Sequence, residues 1–530
     1  MKKYLLVVFT VTLMSCGSVQ KHNLQITKLH TIDDLRADVD ALYQQLQKHH
    51  PKLYLYTPKT EMDAKFDSLK RSIIAPMNSR DFYKRVAPVL TSVRQGHVSI
   101  RPQGRHFTKK ERKVLKKKKF EFYDLDFEYL EDTLWVERTF GKDSSFVGAS
   151  VVSIEGESVG ELVKTYKTRF ASDGYNTTLY NRAVGKGFKS LYVKDKGFLD
   201  SLDVTFKMKD STFVKHFKRI PKKKKTQAKD SLKHNDSIKK PKREALTKAE
   251  KKANRIVAKK RKKDNKKYGY VPRTKTYTRH LEFIGNDSTI AYMKIRSFTN
   301  GNYKKFYKES FTKLDSAKTQ HLILDLRDNG GGRIAEIDKL YSYLTNDAYV
   351  FLNPVEVNSR FPLLTALFSN STPTLLKVFG AIFSVNPITL SYQYFKTKKQ
   401  DGKLYFKMKY NKEREPNPLR YKGKMYVLTN GNSFSASSIL STHLKATERA
   451  TFVGEETGGA YNGNVAGFYK IYEMTTSKLI VRIGLMQIET PHKTEPDGYG
   501  VKPDVEILPT ISDFKQNKDP ELEWVLHHIE

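Results

Sequence analysis

The stretch that decides the fold lies at residues 321–332 and reads His-Leu-Ile-Leu-Asp-Leu-Arg-Asp-Asn-Gly-Gly-Gly. Its first half is a nearly continuous apolar run, which is typical of a strand in a sheet that is covered on both faces. Another strand-like run precedes it at 290–295, and helical patterns follow the two runs at 302–318 and 335–344. Strands that alternate with helices in this way predict an α/β domain.

The three glycines at 330–332 let the backbone turn sharply and present bare N–H groups at close range. An oxyanion hole requires N–H groups presented in this manner. A tight connection between a strand and a helix explains the same glycines equally well when they are taken alone.

A second informative stretch, 426–439, combines a strand, a turn of small residues and the start of a helix. A serine hydroxyl in such a turn lies near a helix N-terminus, where developing negative charge is stabilised. The candidates are Ser433, Ser435, Ser437 and Ser438. Capping the helix is the alternative role for each of them.

The motifs of several other enzyme classes are absent from the sequence. There is no His-Glu-x-x-His, no Gly-x-x-x-x-Gly-Lys-Ser/Thr and no Gly-x-Ser-x-Gly. A single cysteine cannot build a thiolate zinc site. We therefore expect neither a metal nor another cofactor.

Two further motifs complete a series, Gly-Glu-Glu-Thr-Gly-Gly at 454–459 and Gly-Val-Lys-Pro-Asp at 500–504. Together with 325–332 and the Ser-Ala-Ser at 435–437, they stand in the order found in the C-terminal processing (tail-specific) proteases and their tricorn-core relatives. The chain resembles that family of serine peptidases. The resemblance implies a spiral β/α, crotonase-like catalytic domain, which we place at 276–515, preceded by a helical region and a PDZ-like module.

The same resemblance assigns roles to individual residues. The family's Ser-Ala-Ser pattern selects Ser435 as the nucleophile. The N–H groups of Ala436 and Gly331 are the implied donors of the oxyanion hole.

One departure from the family's pattern affects the mechanism. The processing proteases carry a lysine base 25 residues beyond the nucleophile, and that position is Ala460 here. The tricorn-like branch instead uses a histidine from the N-terminal part, and Val-Arg-Gln-Gly-His-Val-Ser at 93–99 resembles its motif. This resemblance implies that His97 is the base.

In the tricorn-like branch a carboxylate just before the last motif orients the histidine. Spacing favours Asp497 for this role and residue type favours Glu495, so both remain candidates. The branch also has a serine directly before its histidine, where this chain has Gly96. The connection between the carboxylate and the histidine must therefore differ.

The N-terminus has the pattern of an export signal. Two lysines precede a short apolar run, and Leu-Met-Ser-Cys-Gly at 13–17 resembles the lipobox of bacterial lipoproteins. We expect residues 1–16 to act as a lipoprotein signal and Cys16 to be lipidated, which implies a membrane-anchored protein that faces the periplasm. An ordinary cleaved signal with an incidental cysteine is the alternative.

The remaining chain divides by pattern and charge. Residues 17–110 look helical and carry His97, and 118–205 are β-rich with a PDZ-like stretch. Residues 211–270 hold 24 Lys plus Arg against 5 Asp plus Glu. This region therefore supplies nearly half of the net charge of +39 that the whole chain carries. We expect this basic insertion to be disordered, either as a plain solvated linker or as a surface that attracts anionic lipids or glycans. Nucleic acid is disfavoured because no aromatic residues interleave the basic run and because the protein is expected to be exported.

These observations favour a serine endopeptidase or C-terminal trimming peptidase of the cell envelope that acts on polypeptides through a Ser–His acyl-enzyme. The alternative is a catalytically inactive protein on the same fold that binds peptides, lipids or glycans.

Overall fold

The computed structural model describes residues 19–222, 247–299, 301–367 and 387–529. Along the chain these residues form a helical part, a β module and an α/β domain. The predicted signal segment and Cys16 lie outside the described residues.

The N-terminal part consists of helices whose apolar residues recur at three- and four-residue spacing. Its elements are α1 (19–27), α2 (Ile32–His49), α3 (Lys59–Ser72), α4 (Ser79–Leu90) and the short strand β1 (Ser99–Arg101). The side chains of Thr31 and Asn78 cap α2 and α4, which satisfies free N–H groups of the first turns. Buried residues of these helices pack in one core with Val481 and Ile483 of the last domain. The helical part is therefore joined to that domain by a shared core.

A β module follows and has a hydrophobic core of its own. Its elements are α5 (Lys109–Leu115), β2 (Lys118–Phe120), β3 (Leu125–Leu130), β4 (Thr133–Thr139), β5 (Ser150–Ile154), β6 (Glu157–Ser158), α6 (Val159–Lys167), α7 (Thr178–Lys196), β7 (Ser201–Met208) and β8 (Ser211–Pro221). The strands form one seven-stranded sheet in the order β2-β8-β7-β5-β4-β3, with β6 beside β5. The module extends past the predicted boundary at residue 205, because β8 pairs with both β7 and β2.

The basic region differs from the prediction of a disordered insertion over 211–270. Residues 211–221 form β8, and a long helix, α8 (Lys248–Tyr268), follows the undescribed residues 223–246. Thr247 and Glu250 form a capping box at the start of α8, and Gly269 ends it in a left-handed conformation. Lysine, arginine and alanine are good helix formers, so capping and propensity order this segment although almost nothing in it is buried.

The α/β domain contains the remaining elements. They are β9 (Tyr270–Val271), β10 (Thr276–Tyr277), β11 (Arg279–Ile284), β12 (Ile290–Ile295), α9 (Tyr303–Ser316), β13 (His321–Asp325), α10 (Ile334–Tyr341), β14 (Tyr349–Val350), β15 (Val355–Val357), α11 (Pro362–Leu367), α12 (Pro387–Lys396), β16 (Thr397–Gln400), β17 (Lys403–Phe406), β18 (Glu413–Arg414), β19 (Lys424–Thr429), α13 (Ala436–Ala446), β20 (Thr451–Gly454), β21 (Asn464–Glu473), β22 (Ile480–Ile488), β23 (Val505–Glu506), α14 (Ile511–Gln516) and α15 (Pro520–Ile529).

The central sheet of this domain has the order β11-β12-β13-β19-β20-β23. All neighbours from β12 to β23 are parallel, and β11 lies antiparallel at one edge. The predicted α/β organisation is confirmed. Three of the sequence motifs directly follow β13, β19 and β20. Because parallel strands point the same way, these motifs meet at one edge of the sheet.

A second sheet connects the domain to the N-terminal part. Its order is β1-β22-β15-β17-β16, with β21 paired to β22. β1 runs antiparallel to β22, so that Ser99 faces Arg482 across the pair. This pairing brings the loop before β1, which contains His97, to the α/β domain.

The domain also continues beyond the predicted end at residue 515. In α15, Val525 packs in a small core with Tyr426 and Val453 of the central sheet. None of the helices in the described ranges has the length and apolar character needed to cross a bilayer.

Candidate active site

Ser435 occupies the turn between β19 and α13. Its backbone has φ +59° and ψ −119°, a conformation that a non-glycine residue adopts only under strain. Its hydroxyl does not cap α13, so the alternative role of a helix cap does not apply. A serine held on a sharp turn from a strand into a helix is how nucleophile elbows present an exposed hydroxyl.

The neighbouring serines are used differently. The Ser433 hydroxyl donates to the carbonyl of Leu326 at 2.8 Å, and the Ser438 hydroxyl donates to the carbonyl of Ser433 at 3.0 Å. Ser437 is fully buried. Of the four candidates, Ser435 is therefore the one that faces a basic side chain.

That basic side chain is His97, whose Nε2 lies 2.9 Å from Oγ of Ser435. The two residues are 338 positions apart in sequence. Burial, together with the nearby positive charge of Arg482, lowers the pKa of His97 to about 3. The imidazole is therefore neutral near neutral pH, so one ring nitrogen is free to accept a proton.

Gly96 shows why the family's serine is missing from the position before the histidine. A Cβ at residue 96 would lie 2.5 Å from Cζ of Phe434 and 3.0 Å from the carbonyl oxygen of Ala171. Phe434 directly precedes Ser435, and its ring packs against His97 with 5.2 Å between the centroids. Any side chain at residue 96 would therefore push on the serine turn.

The other ring nitrogen of His97, Nδ1, lies 3.3 Å from the hydroxyl of Tyr469. Tyr469 follows a β-bulge in β21, where Gly467 has φ +73°, and bulges beside active sites commonly re-aim a side chain. The guanidinium of Arg482 stacks on the Tyr469 ring, 3.6 Å from its centroid. Sequence reasoning missed Tyr469, because no local pattern marks a residue that a bulge redirects.

The predicted carboxylates lie elsewhere. Glu495 is exposed and accepts a hydrogen bond from the N–H of Asp497 at 3.2 Å. Asp497 is partly buried, accepts from the N–H of Gly498 and lies 3.5 Å from the Tyr56 hydroxyl. Neither carboxylate hydrogen-bonds to His97 in the described structure. A role for either in orienting the imidazole stays a prediction.

Gly331 and Ala436 lie beside Ser435. A Cβ on Gly331, which has φ +91°, would come within 2.8 Å of the Ala436 nitrogen and of Cβ of Ser435. Only glycine allows this close approach. Ala436 is the first residue of α13, so its N–H has no acceptor within the helix. The Gly331 N–H donates to Oδ1 of Asn329 at 3.0 Å, and that bond must open before it can serve an oxyanion.

The position of the family's lysine, Ala460, is buried, with 1% of its surface exposed. Its neighbour Gly459 leaves no room for a side chain, since a Cβ there would lie 3.0 Å from the Ser435 nitrogen. The glutamate of the 454–459 motif, Glu455, is buried and pairs with Arg182 of α7. This ion pair fixes the motif loop against the β module.

Asp173 is the second site residue that the sequence did not reveal. Its carboxyl is completely buried and accepts a hydrogen bond from the N–H of Gly96 at 2.7 Å. The one sequence signal is its place in Ser-Asp-Gly-Tyr-Asn at 172–176, which only predicts a turn.

Cavities and metal ligands add little to this picture. Two cavities of about 630 and 610 Å³ are lined by residues around Lys445 and around Phe146, and neither includes Ser435 or His97. The site is better defined by its reacting groups than by a deep pocket. Among the described residues, no three His, Cys, Asp or Glu side chains are grouped so that they could hold a metal ion.

Comparisons with known proteins identify a peptidase family and a shared fold. Residues 289–507 match the model of peptidase family S41. A structure of mature CPAF complexed with lactacystin is 13% identical, with a TM-score of 0.59 over 92% of this chain and 95% of that one. A second structure of mature CPAF is 14% identical, with a TM-score of 0.55 over 91% and 94%. At these identities the likeness shows a shared fold. No curated protein sequence matches the chain.

The matched region contains Ser435 and all four motifs, in the order that the sequence predicted. Residues 289–507 therefore form a peptidase domain of family S41, and the protein is a serine peptidase.

Proposed function

We propose that this peptidase cleaves polypeptides through an acyl-enzyme on Ser435, with His97 as the general base. The observation that carries the proposal is the 2.9 Å contact between Ser435 Oγ and His97 Nε2 at a strained turn. A serine hydroxyl is a weak nucleophile without an adjacent base. The family's lysine is absent, and His97 is the basic group in hydrogen-bonding contact with the hydroxyl.

The steps follow from these positions. His97 Nε2 takes the hydroxyl proton while Oγ attacks the carbonyl carbon of the substrate. The resulting oxyanion is stabilised by the N–H groups of Ala436 and Gly331. The carbon–nitrogen bond then breaks, and the imidazolium returns its proton to the leaving amine. A water molecule, deprotonated by His97 in the same way, releases the acyl group.

We also propose a more detailed fold and a way in which the protein binds its substrate. We assign a spiral, crotonase-like arrangement to the α/β domain and a PDZ-like character to the β module. An exposed sheet edge of such a module can accept a peptide as an added strand. The module would then hold a polypeptide tail close to Ser435, which favours trimming from the C-terminus over internal cleavage.

We further propose that the protein is anchored in the cell envelope by lipidation of Cys16 and faces the periplasm. The helix α8 supports a location beside an anionic surface, because it carries eleven lysine and arginine residues against two acidic ones. Its cations are exposed except near its end, where Lys267 pairs with Glu309. Attraction between such a helix and anionic lipids weakens with salt.

The location has its own test. In the natural host, Cys16→Ser is expected to release the protein from the membrane fraction. Purified protein that lacks the lipid is expected to bind vesicles with anionic lipid at low salt, and neutral replacement of the α8 lysines to abolish that binding. Unchanged vesicle binding after the replacement would reject the role of α8.

The catalytic proposal is tested with purified wild type, Ser435→Ala and His97→Ala. Labelling by a fluorophosphonate and cleavage of an unstructured peptide library are expected in wild type, absent in Ser435→Ala and strongly reduced in His97→Ala. Ser437→Ala is the matched control, because this serine is in the same motif but its buried hydroxyl makes no hydrogen bond in the described structure. Amidated peptides separate the two cleavage modes, since only C-terminal trimming requires a free carboxylate.

The inactive binding protein remains the second candidate, because the family's lysine is replaced. Absence of labelling in well-folded wild type would favour it.

A further inference from the structure

Ser435 and His97 belong to parts of the chain that pack around different cores. Ala436, next to the nucleophile, lies in the core of the α/β domain, whereas Val98, next to the histidine, lies in the core of the N-terminal part. The shared core and the pairing of β1 with β22 join these parts, and a further element touches both of them close to the site. The connector between α6 and α7, residues 168–177, contacts both.

On one side the connector holds the loop that carries His97. Oδ1 of Asp173 accepts a hydrogen bond from the N–H of Gly96 at 2.7 Å. The next residue, Gly174, donates its N–H to the carbonyl of Arg94 at 2.8 Å. Two consecutive residues of the connector therefore bind the backbone directly before His97.

On the other side the connector holds the motif loops of the catalytic domain. The hydroxyl of Ser172 donates to the carbonyl of Gly458 at 2.8 Å, and the side-chain amide of Asn176 donates to the carbonyl of Thr457 at 3.0 Å. Tyr175 donates its N–H to the carbonyl of Gly498 at 2.7 Å. The connector thus links the histidine loop to the loops beneath Ser435.

Asp173 is the unusual member of this connector. None of its surface is exposed, and its Oδ2 has no hydrogen-bond partner in the described structure. Burial raises the pKa of Asp173 to about 7, although the backbone N–H groups of Gly96 and Ala460 oppose that shift. A buried carboxyl with an unused oxygen is costly to the folded state. Its presence is better explained by function than by stability.

Gly96 has no space for a side chain that could anchor its own loop, because Phe434 and Ala171 occupy that space. At this residue the loop is held through its backbone N–H, for which Asp173 supplies the acceptor. We propose that Asp173 is the positioning residue that holds His97 in reach of Ser435 through the Gly96 N–H. This proposal deepens the Ser–His mechanism and rests on it.

The test compares three substitutions at this position. Asp173→Asn keeps a carbonyl acceptor for Gly96, Asp173→Ala removes it, and Asp173→Leu removes it while filling the space. We expect Asp173→Ala to lower kcat and the rate of fluorophosphonate labelling about 100-fold, because a misplacement near 1 Å costs about that much. KM is expected to change less than about twofold. Asp173→Asn is expected to recover most of the rate.

Asp338→Asn is the matched control. Asp338 is a buried carboxylate of α10 that pairs with Arg414 of β18, outside the connector. Its replacement is expected to lower the melting temperature without changing kcat of the folded enzyme. If Asp173→Ala does not fold, Asp173→Leu provides the same comparison.

A double mutant shows whether Asp173 acts through His97. On a His97→Ala background, Asp173→Ala is expected to cause no further loss of labelling, since the group it positions is gone. Labelling of Asp173→Ala and Asp173→Leu at the wild-type rate, with Ser435→Ala unlabelled, would overturn the role of Asp173 and leave the peptidase mechanism intact. Failure of folded wild type to be labelled would overturn both.

Discussion

Replacing Gly96 by alanine tests how closely the histidine loop and the serine turn are packed. The new methyl group would lie 2.5 Å from Cζ and 3.0 Å from Cε2 of Phe434. Carbon atoms in contact prefer a separation of about 3.5–4.0 Å, so the ring must move by about 1 Å. The loop cannot retreat, because the carbonyl oxygen of Ala171 would lie 3.0 Å from the same methyl group.

The displaced ring adjoins Ser435, whose strained backbone sets the direction of its hydroxyl. Overpacking of this kind costs about 1–3 kcal/mol of stability. We expect thermal or urea unfolding to show a loss of stability in that range. Labelling by a fluorophosphonate is expected to be 10- to 100-fold slower, because moving a reacting group by about 1 Å can slow a reaction by about 100-fold. Phe434→Leu in the same protein is expected to restore part of both losses.

Gly104→Ala is the control, because a Cβ at residue 104 meets nothing within 4 Å. It is expected to leave both stability and labelling unchanged. If Gly96→Ala labels at the wild-type rate and unfolds like wild type, then the close packing of Gly96 on Phe434 is not a constraint on the site, and the reasoning is refuted.

Three further predictions concern buried charge. Arg182→Met is expected to lower the free energy of unfolding in urea at pH 7 by about 3–5 kcal/mol, because it leaves Glu455 buried without its partner. Arg138→Met removes an exposed ion pair and is expected to lower it by less than about 1 kcal/mol. Equal losses in the two variants would contradict this difference between buried and exposed pairs. The pKa of Asp173 is raised from 3.8 to about 7, so the folded state holds its proton more tightly than the unfolded state does. The resulting stabilisation, at most about 4 kcal/mol, is complete below pH 4 and is lost as the pH rises to 7. Asp173→Asn is expected to flatten this part of the plot of unfolding free energy against pH, and an unchanged plot would refute the shift. Because the pKa of His97 is lowered to about 3, the rate of fluorophosphonate labelling at pH 5 is expected to stay within about threefold of the rate at pH 7.5. With an ordinary histidine, whose pKa is about 6.5, the labelling rate would fall about 30-fold over the same range.

The order of the motifs and the choice of Ser435 as the candidate nucleophile could be read from the sequence because they are local. The apolar run at 321–326 and the glycines after it identify a buried strand and a sharp turn from adjacent residues alone. Ser435 was selected by a short pattern, and the structure then showed that its neighbours Ser433 and Ser438 hydrogen-bond to carbonyls of nearby loops.

The basic region shows a limit of composition as evidence. Few apolar residues and many like charges predicted disorder over 211–270, but β8 gains order by pairing with β7 and β2. The helix α8 gains it from a capping box and good helix formers. Composition reports whether a segment can build its own core. The strand β8 instead joins a sheet whose core includes its Phe217, and α8 relies on capping and helix propensity.

The sequence by itself determined the α/β class and singled out Ser435 and His97 as the proposed nucleophile and base, because each is written in a continuous stretch of the chain. Only the tertiary structure decided what surrounds His97. Tyr469 reaches Nδ1 through a bulge, Asp173 reaches the Gly96 N–H from a connector 77 residues away, and the predicted carboxylates lie elsewhere. Such contacts depend on how separate elements pack against one another, and a spacing along the chain does not encode that packing.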